Sequence, residues 1–180
     1  MHTKVRALAS LAIAIVSFAA RANAQHPAMP PGMTHDQHLA QLKKDADLKK
    51  RGGLAMGFDQ DKTTHHFRLS SSGGAIKVGI NDPADGASRE QIRVHLAEIA
   101  AEFTRGVFDT PSATHGEVPP GVRTMQRRKN AIAYAYENTP DGGRVRITTP
   151  DRQARSAVHE FLRYQIREHA TGDPLTVAKD

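Results

Sequence analysis

TTHHFRLSSSGGAIKVGI, residues 63–80, decides the fold of this chain. Phe67 and Leu69, then Ile76, Val78 and Ile80, recur at every second position with His66, Arg68 and Lys77 between them. A period of two marks a strand whose two faces meet different surroundings. Ser70-Ser71-Ser72-Gly73-Gly74 breaks the alternation and predicts a hairpin turn between strands at Thr63–Leu69 and Ala75–Ile80.

The arrangement returns in IAYAYENTPDGGRVRIT, residues 132–148. Strands at Ile132–Glu137 and Arg144–Thr148 flank Asn138-Thr139-Pro140-Asp141-Gly142-Gly143, and Ile132, Tyr134, Tyr136, Val145 and Ile147 share one face. An amphipathic helical stretch follows each hairpin, Ser88–Arg105 and Asp151–Ala170, with Ser88 and Asp151 read as N-caps and Gly106 and Gly172 as stops. The hairpins superpose at an offset of 69 residues and the helices at 66, which pairs Ile92 with Val158 and Leu96 with Leu162. The expected architecture is α+β: an internally repeated ββα-ββα domain over residues 56–174, with a four-stranded antiparallel sheet and two helices on one face. The linker between the halves, 107–130, carries His115 and Pro119-Pro120-Gly121 and predicts one short helix near Val122–Arg128; residues 175–180 form a tail.

The N-terminus has a different character. His2, Lys4 and Arg6 precede an apolar run from Ala7 to Ala20, and Ala22-Asn23-Ala24 offers a small-residue cleavage site, so residues 1–24 read as a secretory signal peptide. The run would span about 21 Å as a helix, short of a hydrocarbon core of about 30 Å. The processed chain is expected to be periplasmic or secreted, free of the membrane, with 156 of the 180 residues. Residues 25–55 read as a flexible, partly helical arm: QHPAMPPGMTHDQH (25–38), then a helix-compatible stretch from Asp36 to Arg51 that Gly52-Gly53 should end.

Composition removes several kinds of chemistry. Without cysteine there is no disulfide, no thiol nucleophile and no covalent haem. No G-x-S-x-G elbow and no glycine-rich phosphate loop is present. Processing removes three basic residues and leaves 22 basic against 19 acidic, a balance that does not point to nucleic acid.

Histidine is the abundant reactive side chain, nine of ten lying beyond residue 24. His65 opens the first strand on the inward face, His95 lies early in the first helix, and His169 ends the second helix. If the two helices run antiparallel, all three reach the same end of the sheet. Three neutral imidazoles suit copper, zinc or nickel and leave a position open for water. His115 is a candidate fourth ligand from the linker, while His66 and His159 should point elsewhere. In the arm, His26, Met29, Met33, His35 and His38 mix imidazole with thioether, a combination that suits copper. The competing reading makes each core histidine structural, held by one hydrogen-bond partner.

The outer sheet face should carry His66, Arg68, Lys77, Arg144 and Arg146 around the small residues Ala133 and Ala135. Base-stacking aromatics are missing from it, so an anion, a protein partner or a second copy of the chain fits better than nucleic acid.

The stretches MGFDQDKTTHHF (56–67), GGAIKV (73–78), IRVHLAEIA (92–100), PPGV (119–122), GGRVRI (142–147) and AVHEFLRYQIREHATGD (157–173) resemble a family of small exported bacterial proteins of uncharacterised activity. Some members of that family carry the label aspartate carbamoyltransferase, which this sequence does not support because it lacks the Ser-Thr-Arg-Thr type motif that grips carbamoyl phosphate. The resemblance implies the extent of the domain and no site residue. Three functional readings follow from the residues: a histidine-based module binding copper or zinc, an interaction protein pairing through its basic sheet face, and an enzyme in which bound metal activates water.

Overall fold

The computed structural model describes residues 29–178, so the expected signal peptide and His26 lie outside the described residues. The elements are α1 (His35–Met56), β1 (Thr63–Ser70), β2 (Gly73–Ile80), α2 (Gly86–Arg105), α3 (Asp109–His115), α4 (Val122–Arg127), β3 (Ala133–Thr139), β4 (Gly142–Thr148) and α5 (Arg152–Glu168). The fold is α+β, with one four-stranded antiparallel sheet in the order β1-β2-β4-β3. Among the described residues no helix is long and apolar enough to cross a membrane.

The alternation seen in the sequence becomes two faces. Phe67, Leu69, Ile76, Val78, Val145 and Ile147 are buried beneath the helices, while His66, Arg68, Arg144 and Arg146 are exposed on the other side. Ile92, Leu96, Ile99 and Phe103 of α2, with Val158, Phe161, Leu162 and Ile166 of α5, complete the core.

Each helix crosses to the hairpin it does not follow. α2 packs chiefly on β3 and β4, and α5 on β1 and β2. The glycine pairs explain how closely they approach. The turns themselves are Ser71-Ser72 and Pro140-Asp141, and Gly73-Gly74 and Gly142-Gly143 open the returning strands rather than forming the turns. A Cβ at Gly74 would sit 2.4 Å from Leu162 Cδ1 of α5, and one at Gly143 would sit 3.1 Å from Leu96 Cδ1 of α2. The Arg68 carbonyl oxygen would be equally close to a Cβ at Gly74, and the Tyr136 ring 3.0 Å from one at Gly143, so strand and helix together leave no room for a side chain.

Several boundaries differ from expectation for local reasons. The N-cap of α2 is Asp85, whose carboxylate accepts from the Ser88 backbone N–H at 3.0 Å and the Ser88 hydroxyl at 2.7 Å; Ser88 is inside the helix. Asp151 caps α5 as expected, and Gly106 closes α2 in the left-handed conformation. Gly172 does not close α5, because the helix ends at Glu168 and His169 is its C-cap. Helix α1 starts earlier than Asp36, behind a capping box formed by Thr34 and Gln37, and it runs through Gly52-Gly53 to Met56. Gly52 is buried against the Gln60 side chain, so its lack of a side chain serves packing rather than termination. Arg51 holds α1 to α3 by donating from Nε to the Thr114 carbonyl at 3.0 Å. The linker forms α3 as well as the expected α4. Pro111 falls in the first turn of α3, where its missing N–H is tolerated.

The residues after α5 return along the outside of β1. The Phe67 N–H donates to Asp173 Oδ2 at 2.8 Å, and the Ala178 N–H donates to the Leu69 carbonyl at 2.9 Å. Arg163 Nε holds the tail by donating to the Leu175 carbonyl at 2.9 Å.

Candidate functional site

His65, His95, His115 and His169 line one cavity between sheet and helices, of about 60 Å³. The fold delivers each from a different element: His65 from β1, His95 from α2, His115 from the last residue of α3, and His169 from the C-cap of α5. The His65 and His169 rings stack with centroids 5.2 Å apart and planes 15° from parallel. His115 meets His169 edge to face at 5.2 Å. Phe58 joins the remaining pair, its centroid 6.0 Å from His65 and 5.5 Å from His95.

Burial sets the charge state of these rings. It holds His65 and His95 down at about 4, with the neighbouring His95 and His66 charges adding to the effect at His65. His169 is held at about 3, first by burial and then by His65 and His115. His115 is lowered by burial against the opposing pull of its Gln165 hydrogen bond. All four imidazoles are therefore neutral at pH 7, with lone pairs available to a ligand.

The structural reading of the core histidines required one hydrogen-bond partner for each. Among the described residues, no hydrogen bond joins the His65, His95 or His169 ring to the protein. Only His115 has one, Nε2 to Gln165 Oε1 at 2.9 Å. Even there, His115 Nδ1 and Gln165 Nε2 are buried and unpartnered. Exchanging the tautomer and flipping the amide would move the hydrogen bond's direction and still leave one nitrogen of the ring and one amide atom unsatisfied.

The rings as placed do not converge on one point. An imidazole lone pair lies in the ring plane, and the stacked His65 and His169 rings hold theirs in two nearly parallel, offset planes. Among the described residues no group of three or more His, Asp or Glu side chains is arranged to hold an ion. Coordination would require rotation of at least one of these rings.

The site includes residues that sequence reasoning did not select. Met56 places a thioether in the cavity wall, and Thr110, Thr114 and Gln165 supply its remaining polar groups. No carboxylate lines it. Comparison with family models, curated proteins and solved structures gives no match to this chain.

The other histidines have separate tasks. His66 faces outward and pairs with Asp173 at 3.0 Å. His159 Nε2 donates to both the Ser70 and the Gly73 carbonyls, at 3.0 and 2.9 Å, which requires the proton on Nε2 and makes His159 a clasp on the first turn. His35 and His38 lie in the first turn of α1. Met56 lies eighteen positions along the helix from His38, about 27 Å at 1.5 Å per residue, so the arm and the core cavity are separate places.

Proposed function

We propose that this protein is an exported metal-binding module in which His65, His95, His115 and His169 take up a copper ion, with the signal-like residues 1–24 supporting a periplasmic or secreted location. The observation that carries the reading is that three neutral, largely buried imidazoles around one cavity have no hydrogen-bond partner in the protein. Among the described residues, the fully buried nitrogens without a partner are His115 Nδ1 and Gln165 Nε2, while His65 and His169 keep some exposure. Imidazole nitrogens facing a small, largely apolar cavity are poorly solvated, and one ion can engage several of them at once.

Size and charge narrow the ligand. A cavity of about 60 Å³ has room for an ion and a few waters, whereas organic ligands occupy pockets of roughly 300 Å³ and more. The cost of burying an ion rises steeply with its charge, and no carboxylate offsets it here. Neutral imidazoles beside the Met56 thioether therefore favour monovalent copper over divalent zinc. With all four imidazoles engaged on the ion, the lining holds no carboxylate to serve as a further general base for metal-activated water, so a binding role is preferred to an enzymatic one.

The test is metal analysis of the purified mature protein, followed by titration with Cu(I) under reducing conditions and with Cu(II), Zn(II) and Ni(II). Stoichiometric copper binding that disappears in the His65→Ala/His95→Ala/His169→Ala variant supports the reading. Absence of stoichiometric binding, or binding that survives the triple substitution, overturns it.

A further inference from the structure

The outer sheet face arranges its charges in cross-strand rows. His66, Lys77, Arg144 and Glu137 stand opposite one another across β1, β2, β4 and β3, and the next row is Arg68, Ala75, Arg146 and Ala135. Lys77 and Arg144 are thus direct neighbours of like charge, an arrangement that weakens a sheet rather than stabilising it. In the second row, Ala75 leaves a depression between Arg68 and Arg146. The tail, from Asp173 to Ala178, forms a wall along β1, and the groove so enclosed has a volume of about 540 Å³.

Acidic groups sit in its wall and at its margins. Asp173, in the wall, is engaged by the Phe67 N–H at 2.8 Å and by His66 at 3.0 Å. Asp141, in the second turn, pairs with Lys77 at 2.8 Å; Glu137, on the edge strand, pairs with Arg146 at 2.8 Å and also with Arg144. Arg68 has no ion pair among the described residues, and its side chain is exposed.

We propose that this groove binds a small multivalent anion over Ala75, gripped by Arg68 on one side and Arg146 on the other, with Lys77 and Arg144 behind. Guanidinium groups present paired N–H donors that match carboxylate and phosphate oxygens, and the volume suits a small molecule. A ligand of this charge relieves the repulsion between Lys77 and Arg144. A second copy of the chain, docked face to face, would place cations against cations and increase it. The site is independent of the histidine cavity, which opens on the opposite face of the sheet.

The experiment is calorimetric titration of metal-free protein with pyrophosphate and, separately, with citrate at low ionic strength, repeated for Arg68→Ala, Arg146→Ala and Ala75→Glu, with circular dichroism as a folding control. Binding that falls at least tenfold in either arginine variant, disappears in Ala75→Glu and weakens with salt supports the site. Response to pyrophosphate alone identifies phosphate chemistry, response to citrate alone identifies carboxylate chemistry, and response to both identifies a general polyanion site. No binding at millimolar concentrations, binding unchanged by the substitutions, or concentration-dependent dimerisation without anion binding would overturn it. Since none of these variants touches a cavity histidine, failure here leaves the copper reading intact.

Discussion

Arg93 and His159 perform the same task on opposite halves of the sheet. Arg93 of α2 donates from Nε to the Gly142 carbonyl at 3.2 Å and from Nη2 to the Thr139 carbonyl at 3.1 Å, clasping the second turn as His159 of α5 clasps the first. The two residues are 66 positions apart, the helix offset read from sequence, and the carbonyls they hold, Ser70 with Thr139 and Gly73 with Gly142, are 69 apart, the hairpin offset. Arg93→Ala and His159→Ala should each cost about 1–2 kcal/mol by releasing turn carbonyls. Urea denaturation of the single and double variants would check this, and the two losses should add, since the turns share no partner.

Acid should weaken the metal-free protein in a defined window. The unfolded chain takes up protons at His65, His95 and His169 near the ordinary value of 6.5, while the folded chain resists until about 4 or 3. Stability is therefore complete above pH 6.5 and falls as pH drops toward 4, by at most about 1.4 kcal/mol per pH unit for each histidine. Asp85 and Asp151 are held below the usual carboxylate range, each chiefly by a backbone hydrogen bond at its helix N-terminus, so their contribution persists to lower pH. A urea midpoint equal at pH 7 and pH 4.5 would contradict this account.

Replacing His169 separates stability from binding. Its ring makes no hydrogen bond among the described residues and lies against the rings of His65 and Phe67, so His169→Phe keeps the apolar contacts. The expected stability change is under about 1.5 kcal/mol, with loss of copper binding. Thermal melting and copper titration of the one variant give both readouts. A large destabilisation would mark the ring as structural.

Backbone geometry makes Gly121 indispensable. Its φ of +84° lies in the left-handed region, and an added Cβ would come within 2.1 Å of the Ala157 carbonyl oxygen in α5. The collision involves backbone, which cannot swing aside as a flexible side chain can. Gly121→Ala should cost more than about 2 kcal/mol and loosen α4 from α5, measurable as a lowered urea midpoint and faster amide exchange in α4.

The strands and the two long core helices were legible because one face of each is buried: Phe67/Leu69 and Val145/Ile147 alternate, and Ile92/Leu96/Ile99 recur at helical spacing. The meeting of His65, His95 and His169 around one cavity followed from strand direction, helix length and the assumption that the two helices run antiparallel. The exchange of helices between hairpins was not legible, because offsets that align Leu96 with Leu162 and Gly74 with Gly143 equate the two halves without saying which helix covers which hairpin. Ser88 read as an N-cap, whereas Asp85 holds that place, and its position three residues before Ser88 is the capping signal. Helix α3 is too short, at seven residues, to show a helical period, and Met56, a single methionine before Gly57-Phe58, carries none either. Which way a ring nitrogen points depends on rotamers that no sequence pattern encodes.

Among the described residues, the tail bonds along β1, whereas no backbone segment bonds along the outer edge of β3. A strand of another chain meets groups already engaged at Phe67 and Leu69 of β1; on β3 the Thr139 carbonyl is taken by Arg93 and no tail covers the rest. Sheets with two open edges can extend indefinitely by edge-to-edge addition, which is the geometry of a growing fibril. Here two copies joined β3 to β3 would present only tail-covered edges, and growth would stop at a closed pair. Residues 173–178 thus shield the middle of the β1 edge from strand addition, and trimming them would expose it.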